Sequence, residues 1–427
     1  MLLQFKVGNF LSFNDPVTFS MVASSIKEHK DTNVFVEKKI NLLKSAAIYG
    51  ANASGKSNLI KALSFMKRFV FISSKEMQAT EKIKVINFKL STETENKPSF
   101  FEIIFIYEDI IYKYGFEVDS DTVRKEWLFQ TKAGREAKLF TRENSDFEIG
   151  SYFNEGKGLE NKTRNNALFL SVVAQFNGEF STKIIKWFEK LKIISGLDDE
   201  GYKGFSIDKI KDLEFKNKIL NFLKIADFSI EDLSLNEIKI NKENLPKDMP
   251  EEFKAMLLKK EGDLISVEIQ TFHKKYDLSK KFFSLEKFDL DDEESEGTKK
   301  FFAISAPIIN TLWKGHTLII DELDSRLHPV LTQHIIKLFN SSDINISNAQ
   351  IIFASHDTNL LNKEFLRRDQ IWFTEKDKYG ATNLYSLVDY KLEKNKIRND
   401  ALYSKNYILG KYGAIPYVGN FKSLFKG

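Results

Sequence analysis

The chain has 427 residues, 42% of them hydrophobic and 29% charged, so it can bury a sizeable core and is not globally disordered. Its 64 Lys and Arg against 60 Asp and Glu leave a formal net charge of +4, which gives no strong reason to expect a nucleic-acid coat or a membrane-surface protein, so any nucleic-acid contact must be local. The absence of Cys excludes disulfides, thiolate zinc sites, iron–sulfur clusters and cysteine nucleophiles. The start, Met1-Leu2-Leu3-Gln4-Phe5-Lys6, lacks a signal-peptide layout, and no run of ~18 apolar residues occurs, so a soluble cytoplasmic protein without membrane contact is expected.

Leu3, Phe5 and Val7 alternate along Leu2–Val7, the period of a strand, and a turn at Gly8-Asn9 leads to a second apolar piece at Phe10–Phe13. Ala46-Ala47-Ile48-Tyr49 predicts a strand that runs into a glycine loop and then a helix over Ser57–Phe69. Phe100–Tyr107, Ile110–Val118, Lys125–Gln130 and Lys138–Phe140 predict an antiparallel meander. From Asn165 to Lys259 the spacing reads as helical, with Trp187, Leu191 and Ile194 on one face and a polar break at Asn241–Pro250. After Asp289, helices near Thr298 and over Pro329–Phe339 alternate with strands at Thr317–Asp321, Gln350–Ser355, Ile371–Thr374 and Asn383–Leu387. The expected fold is α/β, a P-loop head with an antiparallel β subdomain and a helical insertion. Its parts are residues 1–90 with the glycine loop, 91–160 rich in β, 161–288 as the helical insertion, and 289–427 completing the head.

Gly50-Ala51-Asn52-Ala53-Ser54-Gly55-Lys56-Ser57 satisfies G-x-x-x-x-G-K-[ST], and Asn58 follows. Backbone N–H groups of such a loop wrap phosphate oxygens, Lys56 neutralises the β- and γ-phosphates, and Ser57 Oγ is a Mg²⁺ ligand. The loop reads phosphates rather than bases and does not separate ATP from GTP. Thr317-Leu318-Ile319-Ile320-Asp321-Glu322 is an apolar strand ending in two carboxylates: Asp321 for Mg²⁺, Glu322 to polarise an attacking water. Ile351–Ala354 ends in Ser355-His356-Asp357; His356 either reaches a γ-phosphate or sits at the start of a helix as a capping neighbour. Ser295 and Gly297, before the helix near Thr298, form either an anion-binding helix start or an ordinary N-cap.

In this order the elements resemble the ABC-type ATPase head of SMC and RecF proteins: Walker A, signature loop, Walker B, D-loop and His switch. The resemblance puts Ser295 and Gly297 at the Ser and second Gly of LSGGQ, Glu296 where the first Gly would be, Thr298 where the Gln would be, and Asp324 in the D-loop. It implies two heads joined head to tail, each ATP held between one Walker A and the partner's signature loop. The chain is closer to the AAA-family ATPases of prokaryotic phage defence typified by RloA, AbiL and the AriA subunit of PARIS systems. That likeness runs through Asn9-Phe10-Leu11-Ser12-Phe13, Glu294–Lys299, Asp321–Pro329, Arg368–Phe373 and Tyr407–Pro416. It implies ATP and Mg²⁺, a homo-oligomer, a separately encoded effector such as a Toprim or RloB-type nuclease, and a phage trigger protein.

A second reading is a DNA-repair clamp of RecF or SMC type with ATP as a latch, against which the near-neutral charge counts. A third is a scaffold that barely hydrolyses its ATP. The acidic run Asp289–Glu294 sits just before the Ser295–Thr298 loop, with no ~100-residue domain expected after the head to house a Toprim-like nuclease, and reads as a solvated hinge. His328 and His334 are six apart, not on one helical face for a metal. The pairs Phe282-Phe283 and Phe301-Phe302 are assigned to the core or an interface.

Overall fold

The computed structural model describes residues 1–226, 228–240, 264–390 and 402–416. The chain divides into two compact units: Met1–Leu197, Thr311–Ser325 and Pro329–Gly427 in the first, Asp198–Asn310 and Arg326–His328 in the second.

In the first unit, β1 (Leu2–Gly8) and β2 (Val17–Ser20) are followed by the short helix α1 (Lys30–Asn33) and the hairpin β3 (Val34–Glu37)–β4 (Ile40–Leu43). Next come β5 (Ser45–Gly50) and α2 (Lys56–Ile72), then the meander β6 (Ser99–Tyr107), β7 (Ile110–Val118), β8 (Val123–Lys132), β9 (Arg135–Glu143) and β10 (Asp146–Ile149). The meander forms as expected and takes in the N-terminal strands, in the order β10-β9-β8-β7-β6-β1-β2. Helices α3 (Phe169–Gln175) and α4 (Glu179–Lys190) lead to β11 (Leu191–Ser195).

The second sheet of this unit has the order β11-β15-β16-β5-β17-β18, with β15 (Thr317–Asp321), β16 (Gln350–Ala354), β17 (Ile371–Lys376) and β18 (Thr382–Ser386). Strands β11, β15, β16, β5 and β17 run parallel and β18 antiparallel. Both faces of β5 and β16 are buried, which is why they read as unbroken apolar runs rather than alternating ones. Leu63, Met66 and Phe69 of α2 share one core with Phe5, Phe101 and Phe105 of the antiparallel sheet and with Ile48, Ile319 and Ile352 of the parallel one. Each such side chain contributes about 1.5–3 kcal/mol by burial. This core fixes the helix that carries the glycine loop at its start. An α/β head with an antiparallel β subdomain is therefore present.

In the second unit, α5 (Glu200–Lys209) and α6 (Leu213–Ile225) precede the antiparallel sheet β12 (Ile230–Ile240), β13 (Leu264–Tyr276), β14 (Phe282–Asp289), and α7 (Glu296–Lys314) starts there. Phe301 is stacked on Phe222 at 4.6 Å, and Phe302 is fully buried, as core. Phe282 and Phe283 are instead 59% and 71% exposed.

The region 161–288 thus departs from a helical insertion in two ways. Leu191 and Ile194 lie on β11, parallel to β15, so this strand belongs to the head sheet. The β-branched pair Ile193-Ile194, flanked by a parallel neighbour, outweighs an i, i+4, i+7 spacing that a five-residue strand also satisfies in part. Strands β12, β13 and β14 form a three-stranded sheet, its long strands diluted by lysine and glutamate. The polar break at 241–250 lies outside the described residues.

The remaining helices are α8 (Pro329–Asn340) and α9 (Tyr403–Ile408). Among the described residues, no helix is long and apolar enough to cross a membrane.

Candidate functional site

Three neighbouring parallel strands, β15, β16 and β5, end side by side, and their following residues meet at one cavity. It measures about 730 Å³ and is lined by Asn52, Ala53, Ser54, Gly55, Lys56, Ser57, Asn58, Glu322, His356 and Lys376. Gly50 and Ala51 form the entry of the loop.

Lys56 is buried and donates to Gly50 O at 2.8 Å and Ala51 O at 3.1 Å, folding back onto its own loop. Burial lowers its pKa, while Asp321, Glu322 and Asp324 pull it upward. A cation held beside three carboxylates and weakly solvated is ready to exchange two carbonyl acceptors for phosphate oxygens.

The loop is clamped from outside. Ser54 Oγ and Thr374 Oγ1 lie 2.6 Å apart. Thr382 Oγ1 donates to Ser54 O at 2.8 Å and stands 2.8 Å from Ser12 Oγ, which accepts from Asn58 Nδ2 at 2.8 Å. Gly55 has φ 117°, and a Cβ there would lie 2.5 Å from Thr382 Oγ1. Only glycine gives both the backbone angle and the clearance.

Glu322 faces the cavity from a left-handed backbone conformation, φ 56°, uncommon for a non-glycine residue. It sits between Asp321, the last residue of β15, and Leu323, whose N–H donates to Ala354 O at 3.1 Å. His356 is exposed to the cavity; its backbone N–H donates to Asp324 Oδ2 at 3.3 Å, tying the end of β16 to the turn after β15.

Asp321 Oδ1 is buried and takes no hydrogen bond from any described residue, and the Ser57 hydroxyl bonds none either. An orphaned carboxylate oxygen and a free hydroxyl of hard-oxygen type suit a Mg²⁺ held jointly with phosphate oxygens. Among the described residues no group of three His, Asp or Glu could hold a metal without such help, the acidic run included.

Ser295, Gly297 and Thr298 belong to the second unit and do not line this cavity. Ser295 is the N-cap of α7: its Oγ accepts from Thr298 N at 3.1 Å and lies 2.8 Å from Thr298 Oγ1. The helix starts at Glu296, two residues before the expected Thr298. Glu296 pairs with Lys299 at 2.9 Å and with Arg326 at 3.3 Å, and Arg326 also pairs with Asp199. The acidic run is a turn in which Asp289 Oδ1 accepts from the N–H groups of Asp291 and Asp292.

Sequence reasoning missed Lys376, Thr374, Thr382 and Ser12 at this site. Their signal is positional: Thr374, Lys376 and Thr382 approach the loop through the pairing of β17 with β5 and β18, and Ser12 reaches it from the connection between β1 and β2.

The family described as "AAA domain, putative AbiEii toxin, Type IV TA system" matches residues 45–362. Among solved structures the chain is similar to an SMC head domain from Thermotoga maritima: 12% identity, 92% of this chain and 99% of that one, TM-score 0.41. It is also similar to the recombination mediator protein RecF-ATP of the RecFOR pathway: 13% identity, 83% of this chain and 93% of that one, TM-score 0.31. No curated protein matches it at a significant level.

Proposed function

The chain belongs to the AAA domain family that matches residues 45–362, and from that premise we propose that it is an ATP-hydrolysing ABC-type head. In this reading it dimerises on nucleotide and so controls a separately encoded effector, a Toprim or RloB-type nuclease, in anti-phage defence. The observation that carries the hydrolase part is the meeting of Lys56, Glu322 and His356 on one cavity at the ends of three adjacent parallel strands. The toxin description of the family supports the defence part.

The loop N–H groups from Asn52 to Ser57 and the start of α2 bind the phosphates, and Lys56 turns from its carbonyl acceptors to the β- and γ-oxygens. Ser57 and Asp321 would hold Mg²⁺, which when bound neutralises phosphate charge. Glu322 accepts a proton from water as the water oxygen bonds to the γ-phosphorus and the bond from that phosphorus to the β–γ bridging oxygen breaks. His356 donates to a γ-phosphate oxygen. Asp324, in the turn that His356 contacts, positions it, and Ser295, Gly297 and Thr298 of a second copy close over the phosphates.

The experiment is affinity purification of Glu322→Gln with ATP from its host, followed by mass spectrometry and native mass of the complex. A dimer or larger assembly carrying ATP and a stoichiometric nuclease-like protein is the expected result. Recovery of a nucleotide-free monomer overturns the assembly, and recovery of DNA with repair factors moves the function to a DNA clamp.

A further inference from the structure

We infer that Lys376 is a second phosphate-binding cation of this cavity, aimed there by the β17–β18 hairpin; the inference rests on the nucleotide reading above. The argument starts from strand geometry. In β17, Thr374 stands opposite Gly50 of β5, and its hydroxyl reaches Ser54 Oγ at 2.6 Å, so this face of β17 looks onto the glycine loop. Side chains two apart share a face. Lys376 therefore follows Thr374 on the same face, one step further toward the end where the loop lies, and it lines the cavity.

The opposite face confirms the alternation. Glu375 turns away, accepting from Ala414 N at 3.1 Å and Tyr385 Oη at 3.3 Å. Across the hairpin Lys376 is paired with Thr382, whose hydroxyl bonds Ser54 O. Two threonines on this wall hold the loop, and the lysine beside them is left over.

Its chemistry is also left over. The Lys376 side chain is exposed and, among the described residues, its ammonium forms no ion pair or hydrogen bond. Lys56 is engaged with two carbonyls and surrounded by Asp321, Glu322 and Asp324. A polyphosphate brings more negative charge than Lys56 offsets against those carboxylates, even beside the Mg²⁺ that Ser57 and Asp321 would hold, and a second ammonium lining the cavity offsets part of the remainder. Because the hairpin grips Ser54 and Gly55 rather than the Glu322 turn, Lys376 acts on binding and not on the transfer step.

The test is equilibrium binding of fluorescent ATP and ADP analogues to the full chain as wild type, Lys376→Ala, Lys376→Arg, Lys56→Ala and Lys378→Ala, with a melting curve for each. Lys378, an exposed neighbour with its ammonium 4.9 Å from the Tyr379 ring, controls for general surface charge. The expected result for Lys376→Ala is about tenfold weaker binding of both nucleotides, with a reduced salt dependence and an unchanged melting temperature. Lys376→Arg restores binding to within about threefold, since a charge and not a shape is required. Binding by Lys376→Ala equal to wild type, while Lys56→Ala loses it, overturns the role of Lys376 and leaves the nucleotide site standing. A loss that arginine does not restore, or that follows a lowered melting temperature, assigns Lys376 to the architecture of the hairpin and also overturns it. Undiminished binding by Lys56→Ala removes the nucleotide reading itself.

Discussion

Gly196 donates its N–H to the carbonyl of Asp321 at 2.6 Å, joining the end of β11 to the end of β15 beside Glu322. A Cβ on Gly196 would lie 2.0 Å from Glu322 O and 2.6 Å from Asp321 O, both backbone atoms that cannot rotate away. Gly196→Ala must therefore push the Glu322 turn out of place. Turnover of ATP should fall at least tenfold, with the KM for ATP within about threefold of wild type, and stability should drop by about 1–3 kcal/mol. Steady-state kinetics and thermal denaturation check this; an alanine variant with wild-type turnover would show that the turn has room to move.

Glu322→Gln keeps the side chain's shape and removes its basicity. Turnover should fall by about 10²–10⁴-fold while ATP binding is retained. Single-turnover measurement with radiolabelled ATP separates the two, and hydrolysis at the wild-type rate would end the assignment of Glu322 as the base.

Gln350 ties the two sheets of the first unit together. Its Oε1 accepts from Leu2 N at 2.7 Å, and its Nε2 donates to Leu2 O at 3.1 Å and Leu43 O at 3.2 Å, all buried. Gln350→Leu leaves these backbone groups without partners and should cost about 2–4 kcal/mol. Urea denaturation is the measurement; a midpoint equal to wild type would mean that water replaces the amide.

Lys300, fully buried in the second unit, donates to Tyr202 Oη at 2.6 Å, and burial lowers its pKa to about 8. An unfolded lysine titrates near ~10.4, so between these values the unfolded chain binds more protons and stability rises with pH. Below about pH 8 the burial penalty is present in full. Lys300→Met should flatten the rise between pH 8 and 10, a difference of up to about 3 kcal/mol from wild type. Denaturant midpoints of both proteins across that range check it. Parallel profiles would show that Lys300 stays charged by reaching water.

The Gly50–Ser57 loop and the strand Thr317–Asp321 were legible in sequence because local pattern alone determines them: a spaced glycine motif, and an apolar run bounded by charge. The meander was legible from its alternation. What was not legible depends on pairing between distant segments. β11 enters the sheet because β15 offers it a parallel edge, and its five residues carry no signal strong enough to beat the preceding helix. Lys376 and Thr382 reach the loop through a register that joins them to residues more than 300 positions away. Phe282 and Phe283 resemble core phenylalanines in composition and are 59% and 71% exposed, a difference that the sequence pattern does not carry.

The Ser295 hydroxyl caps α7, and that alone predicts that Ser295→Ala costs about 1 kcal/mol. The head-to-tail reading predicts more, because each active site would take Lys56 and Glu322 from one copy and Ser295, Gly297 and Thr298 from the other. Lys56→Ala and Ser295→Arg should each abolish ATP turnover alone. Mixed in equal amounts, they form heterodimers in which one of the two sites has an intact loop and an intact signature, and turnover returns to about a quarter of the wild-type rate, since half of the molecules are heterodimers and half of their sites are whole. A cap that serves only its own helix gives no such rescue, because Ser295→Arg then turns over ATP on its own and mixing with Lys56→Ala only dilutes it. ATPase assays across mixing ratios, with native mass to confirm exchange of subunits, decide between the two: activity peaking at equal proportions supports the shared site, and activity that only follows the share of Ser295→Arg leaves Ser295 as a helix cap.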